Sequence, residues 1–265
     1  MTAGFQATDR TVLRIGGGDA REFLQNLVTN DVRGLDRGPV YAALLSPQGK
    51  YLFDFFLVPD GSDILLDIQT ARAGALAQRL ALYRLRAAVS IEPTEFAVLL
   101  GTGAPLATRL AFADPRAEAL GWRAYVEDPA ALLAGMAPLD PAEITVLRVA
   151  NGVPETGVEL KPDDSYILEM GFERLRGVDF RKGCYVGQEV TARMKHKTEL
   201  RKGLVRVEID GPAPEAGTEI LAGGKPAGTL HTTSGGRGLA YLRFDRAAGE
   251  LTAGSAKIRL IAASG

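Results

Sequence analysis

The sequence predicts an α+β region of one or two subdomains over residues 1–200, followed by a small β-barrel over residues 201–265. Three observations carry this reading. Between Thr11 and Val126, strand-like alternation is interrupted by stretches with helical spacing, the order expected of an α+β domain. Beyond Arg201-Lys202-Gly203 the helical spacing stops. There Leu204-Val205-Arg206-Val207-Glu208-Ile209 alternates cleanly, and later strand-like runs are separated by Gly223-Gly224 and Gly235-Gly236. Finally, a chain of 265 residues with 46% hydrophobic and 24% charged content can bury a sizeable core.

Taken in order, residues 11–15 alternate as a strand, Gly16-Gly17-Gly18 break it, and Asp19 is placed to cap a helix over 20–28 with Phe23, Leu24 and Leu27 on its apolar side. The glycine spacing matches neither a dinucleotide fingerprint nor a phosphate loop. Residues 40–69 read as a meander of strands at 40–45, 51–58 and 64–68, with turns at Ser46-Pro47-Gln48-Gly49 and Pro59-Asp60-Gly61-Ser62. Asp54 lies between Phe53 and Phe55 in the middle strand, facing either solvent or a ligand. Leu76, Leu80 and Tyr83 share one face of a helix over 71–88. A buried strand at 96–100, a helix over 105–112 ended by Asp114-Pro115, and a strand at 122–126 anchored by Trp122 come next. Pro141 starts a helix that Asn151-Gly152 terminates. Residues 155–177 read as a long connection with a helical turn near 167–170.

The formal net charge of −1 gives no overall field to recruit nucleic acid or membrane, and no apolar run approaches the ~20 residues of a membrane span. The first ten residues lack a basic stretch followed by an apolar core, so no secretory signal is expected. The single cysteine excludes an internal disulfide and is consistent with a cytoplasmic location. It also means that this chain alone cannot supply four thiolates to a [4Fe–4S] cluster. Neither His196 nor His231 sits in a metal-ligand pattern, so no metal is expected on this chain alone. Between Arg174 and Arg206 the segment is distinctly basic, either a solvated connection or a dock for an anion or acidic partner.

Chemistry-bearing residues concentrate in Arg181-Lys182-Gly183-Cys184-Tyr185-Val186-Gly187-Gln188-Glu189, which continues into a helix with Gln188 and Glu189 in its first turn. Gly183 and Gly187 let the backbone turn sharply around Cys184. The thiol is either a small buried hydrophobe or, beside Arg181 and Lys182, a nucleophile or ligand.

The run from Lys182 to Glu189 resembles the K-G-C-Y-x-G-Q-E signature of the YgfZ family, which includes the Iba-type mitochondrial iron–sulfur assembly factors. The resemblance extends to Thr191-Ala192-Arg193, to Phe23-Leu24-Gln25-Asn26-Leu27 with Thr29-Asn30-Asp31, and to Arg148 followed by Asn151-Gly152-Val153-Pro154. It implies the fold of the glycine cleavage T protein, a tetrahydrofolate-dependent aminomethyltransferase, and a role in supporting iron–sulfur enzymes. It further implies a folate site around Asp54, with Tyr51 and Phe53 (and Phe55) as aromatic walls and Arg148 at an anionic group. Lys182, Gly183, Tyr185, Gly187, Gln188, Glu189 and Arg193 complete the implied site, with Cys184 as a functional thiol at the mouth of the same pocket. One departure matters: where the aminomethyltransferases read R-x-E-A-G, this chain has Arg148-Val149-Ala150-Asn151-Gly152, so Ala150 replaces the folate-contacting glutamate. The expected function is therefore tetrahydrofolate binding in the assembly or repair of iron–sulfur enzymes, with an iron–sulfur carrier or client as partner. A one-carbon transferase and a folate-free docking protein for such a carrier are the alternatives.

Overall fold

The computed structural model of the chain describes residues 2–197 and 199–261. The chain opens with β1 (Ala3–Gln6), β2 (Arg10–Gly16), α1 (Ala20–Gln25), β3 (Val40–Leu45), β4 (Tyr51–Asp60), β5 (Asp63–Gln69), α2 (Thr70–Arg84) and β6 (Ser90–Pro93). Five of these strands form an antiparallel sheet in the order β3-β4-β5-β2-β6. Alternation along β4 assigns its two faces. Phe53, Phe55 and Leu57 join the core beneath Leu24 of α1 and Leu76 and Leu80 of α2. Phe56 points the other way, into a core with Tyr41, Phe172, Leu175 and Tyr185. Asp54 is two residues from Phe56, so it shares this second face.

The next elements are β7 (Ala97–Thr102), β8 (Ala111–Ala113), β9 (Trp122–Val126), α3 (Pro129–Leu133), β10 (Ala137–Pro138) and α4 (Pro141–Ala150). They build a second sheet, β10-β1-β7-β9-β8, into which the N-terminal strand is recruited. Val12, Val58 and Leu65 of the first sheet pack on Val98 and Tyr125 of the second. At the start of α4, Asp140 accepts from Ala142 N–H and Glu143 reaches back to the Asp140 N–H, a reciprocal cap that fixes the helix start. Residues 151–187 then run as successive turns into α5 (Gln188–Lys197).

The remaining strands, β11 (Lys202–Asp210), β12 (Glu219–Ala222), β13 (Lys225–Ser234), β14 (Arg237–Arg243), β15 (Leu251–Ala253) and β16 (Ala256–Leu260), close into an antiparallel barrel filled by Val207, Ile220, Leu230, Leu242 and Ile258. The fold is thus the expected α+β region followed by a β-barrel.

Three local expectations are corrected. No helix forms over 105–112; instead β8 pairs Ala111–Ala113 with β9. Leu106 and Leu110 alone make too narrow an apolar stripe to hold a helix against that pairing. Helix α1 ends at Gln25 rather than 28, because Val28 bridges to Leu44 and the chain must leave the helix to reach it. Helix α2 ends at Arg84 rather than 88, where Leu85 leaves the helical region with φ +44°, while the helical turn expected near 167–170 is present, with Met170 N–H donating to Tyr166 O.

Candidate functional site

Where the two sheets and α4 meet, a cavity of about 300 Å³ is lined by Arg10, Asp54, Arg116, Arg123, Arg148 and Thr156, among others. Asp54 is half-buried and held by three hydroxyls. Its Oδ1 accepts from Tyr51 Oη at 2.7 Å and Thr156 Oγ1 at 2.5 Å, and its Oδ2 accepts from Tyr41 Oη at 2.9 Å. Burial, reinforced by the Asp54 charge, pushes both phenols well above their ordinary range, so they act as donors. A carboxylate offers about four acceptor positions, so three hydroxyls leave about one for a ligand.

Around Asp54 runs a chain of alternating charges. Asp67 is fully buried; it accepts from Arg10 Nε and Arg123 Nη1, each at 2.7 Å, and from Tyr125 Oη at 3.1 Å. Arg123 Nε reaches Asp114 at 3.3 Å, and Arg116 grips the same carboxylate through Nε and Nη2. Burial works against the charge of Asp114, but Arg116 and Arg123 hold it at about 2. The Arg123, Arg116 and Arg10 guanidiniums lie 4.0, 4.9 and 5.8 Å from the Phe56 ring centre, which fixes them as a group beside the cavity.

Phe53 and Phe55, expected as aromatic walls, belong to the helix-side core and do not line this cavity; Phe53 packs instead under Arg72, at 4.8 Å. Arg148 does line it, but its guanidinium is committed. It donates to Val153 O and Glu159 Oε2 through Nη1 and to Thr232 Oγ1 of β13 through Nη2, tying α4 to the barrel. The carbonyl of Ala150 accepts from Arg206.

The signature loop lies elsewhere. Cys184 is exposed and, with every other residue from Lys182 to Glu189, is absent from the lining of the Asp54 cavity. The expected meeting of Asp54 and Cys184 in one hollow is not found. Lys182 is buried, its Nζ donating to Gln25 O at 2.6 Å and Val28 O at 2.5 Å, so it secures the end of α1. Tyr185 is buried in the same core as Tyr51, and its N–H donates to Gln188 Oε1 at 3.3 Å. Gly183, Glu189 and Arg193 are exposed. Of the basic segment, Lys195 pairs with Glu173 and Arg174 donates to the carbonyls of Asn151 and Gly152.

The barrel matches the family model "CAF17, C-terminal beta-barrel domain" over residues 201–264. Over 94% of its length the chain is 34% identical to the human "Iron-sulfur cluster assembly factor IBA57, mitochondrial", covering 80% of that protein. It belongs to the IBA57 family. The mouse IBA57 protein is 32% identical over 97% of this chain and 82% of its own length. The fold is that of the glycine cleavage system aminomethyltransferase T from Bartonella henselae, with a TM-score of 0.80, 98% of this chain and 84% of that chain covered, and 15% identity.

In this IBA57-family chain the two signature glycines have different physical roles. Gly187 has φ +80°, and a Cβ there would sit 2.5 Å from Ser46 O and 3.0 Å from Gly49 Cα, both backbone atoms of the β3–β4 turn. Gly183 has open space around it. Gly187→Ala is expected to cost about 3 kcal/mol and Gly183→Ala within about 0.5 kcal/mol, read from urea unfolding midpoints; equal costs would refute this assignment.

Sequence patterns do not single out Tyr41, Thr156, Arg10, Asp67, Arg116 or Arg123 as parts of the site. For Asp67 and Arg123 a signal is present: each is a lone charge inside an apolar strand, the same feature that marks Asp54. For Thr156, 102 residues from Asp54 in a loop, no local pattern exists.

Proposed function

We propose that this IBA57-family protein binds tetrahydrofolate in the Asp54 cavity and assists the assembly or repair of iron–sulfur enzymes. The observation that supports folate binding most is the half-buried Asp54 carboxylate at the cavity wall, oriented by three hydroxyls and keeping about one acceptor position for a ring N–H. The role in iron–sulfur assembly follows from kinship with proteins named as such assembly factors. Cys184, exposed on a loop outside the cavity, would meet an iron–sulfur carrier or client from solution. Aminomethyl transfer is disfavoured, since Ala150 offers only its backbone carbonyl, and that is taken by Arg206.

Equilibrium dialysis with tetrahydrofolate tests the folate reading. Asp54→Ala removes a charged hydrogen-bond acceptor and is expected to weaken binding by about tenfold to a hundredfold. Unchanged affinity would take Asp54 out of the site, and no binding to the wild type would end the folate reading. For the assembly role, Cys184→Ala in cells is expected to lower the activity of iron–sulfur enzymes under oxidative stress; full activity would leave the thiol without a part in it.

A further inference from the structure

We infer that the arginine side of the Asp54 cavity selects the 4-oxo form of the pterin ring, with Arg116 as the residue that sets this specificity. The inference rests on the folate reading above. Each of the three clustered guanidiniums is only partly engaged. Arg116 spends Nε and Nη2 on Asp114, Arg123 spends Nε and Nη1 on Asp114 and Asp67, and Arg10 spends Nε and Nη2 on Asp67. Among the described residues, no acceptor bonds Arg116 Nη1, Arg123 Nη2 or Arg10 Nη1. None of these nitrogens is among the buried side-chain atoms left without a partner, which are Arg72 Nε and Thr108 Oγ1. The open edges therefore border space, and all three residues line the cavity.

Charge balance decides what such donors receive. Three guanidiniums stand against the carboxylates of Asp54, Asp67 and Asp114, so the group has no excess positive charge to attract a phosphate. A neutral carbonyl oxygen fits better: it takes the donors without adding charge. Arg116 is the best placed, because Tyr41 links it to Asp54. The Tyr41 hydroxyl donates to Asp54 Oδ2, and the Arg116 guanidinium lies 5.4 Å from the Tyr41 ring centre. Acceptor and donor thus both flank Tyr41, and both residues line the cavity. That pattern complements a ring edge carrying N–H donors next to C=O, which the 2-amino-4-oxo edge of a pterin presents.

A 4-amino ring reverses the second half of the match, placing N–H against guanidinium N–H with no acceptor between them. Protonating that ring would strengthen its bond to Asp54, but the clustered guanidiniums oppose a further positive charge. A site built around hydrogen bonds discriminates strongly against an analogue that leaves its polar groups unpaired.

The test is calorimetric titration of the full chain with tetrahydrofolate and with tetrahydroaminopterin, which differ at C4. Wild type is expected to prefer the 4-oxo ligand by at least about tenfold. In Arg116→Lys, and in Asp114→Asn/Arg116→Gln where no buried carboxylate is stranded, the preference is expected to shrink to about twofold or less. Equal affinities in wild type, or a preference that persists in either folded variant, overturn the inference and leave the folate reading standing. Binding of neither ligand by wild type overturns both. Should neither variant fold, arginine-labelled wild type decides the matter: the 4-oxo ligand is expected to slow hydrogen exchange at an arginine Nη, and no change there overturns the assignment.

Discussion

Asp67→Ala is expected to lower the thermal unfolding midpoint by roughly 10 °C. Asp67 is fully buried, and its carboxylate answers Arg10, Arg123 and the Tyr125 hydroxyl. Burial favours the neutral form of that tyrosine, and the Asp67 charge adds to the effect. Removing the carboxylate leaves Arg10 without a carboxylate partner and Arg123 with Asp114 alone, and breaking a buried pair from one side typically costs about 3–5 kcal/mol. For comparison, Asp210 pairs with Arg259 on the barrel surface, where both side chains are more than half exposed. Asp210→Ala is expected to change stability by less than about 1 kcal/mol. Differential scanning calorimetry of the two variants checks the contrast, and similar midpoints would refute the view that the Arg/Asp chain holds the sheets together.

Lys182 is expected to make stability rise with pH on the alkaline side of neutrality. Burial pushes its ammonium down to about 8, below the ordinary lysine value near 10.5, although Asp31 and Asp179 pull the other way. Between those two values the unfolded chain binds more protons than the folded one, so the free energy of unfolding increases with pH across that window. Below pH 8 the folded protein carries the full cost of the buried charge. Comparing wild type with Lys182→Met by chemical denaturation at pH 7.5 and pH 10 isolates this residue. Wild type is expected to gain of order 1–2 kcal/mol relative to the variant. A difference independent of pH would show that Lys182 titrates as an ordinary lysine. At pH 7.5 the variant is expected to lose stability through the Gln25 and Val28 carbonyls left without a donor, offset in part by relief of that charge.

Legibility in the sequence followed the distance over which each feature is encoded. The barrel was readable because its strands alternate cleanly and its turns carry glycine pairs, so that β12, β13 and β14, and β15 with β16, pair with their neighbours in sequence. The meander over β3, β4 and β5 was readable for the same reason. Strands β1 and β6 carry no comparable local signal. Each is four residues long; β1 finds partners about 100 residues away in β7, and β6 about 80 residues away in β2. The expected helix over 105–112 failed for the opposite reason: local propensity there gave way to pairing with β9.

The candidate site divides in the same way. Asp54 stood out because a charge between aromatics in a strand is locally conspicuous, and Tyr51 was close enough to be included with it. The Tyr41 and Thr156 hydroxyls and the Arg10, Arg116 and Arg123 guanidiniums that complete the setting of Asp54 come from other segments, 13 residues away for Tyr41 and 102 for Thr156, and no periodicity marks them.

By itself the sequence determined most of the kinds of element, the β-barrel at the C-terminal end, and a kinship to the Iba-type assembly factors that the whole-chain comparison bears out. Only the tertiary structure decided which faces meet. Gly187 packs on the β3–β4 turn and Lys182 on the end of α1, which leaves Cys184 at the surface, while the alternation of β4 turns Asp54 toward the second sheet. Side-chain direction along a strand is set by register and by what the opposite face must bury, and those are properties of the assembled sheets rather than of any short run of residues.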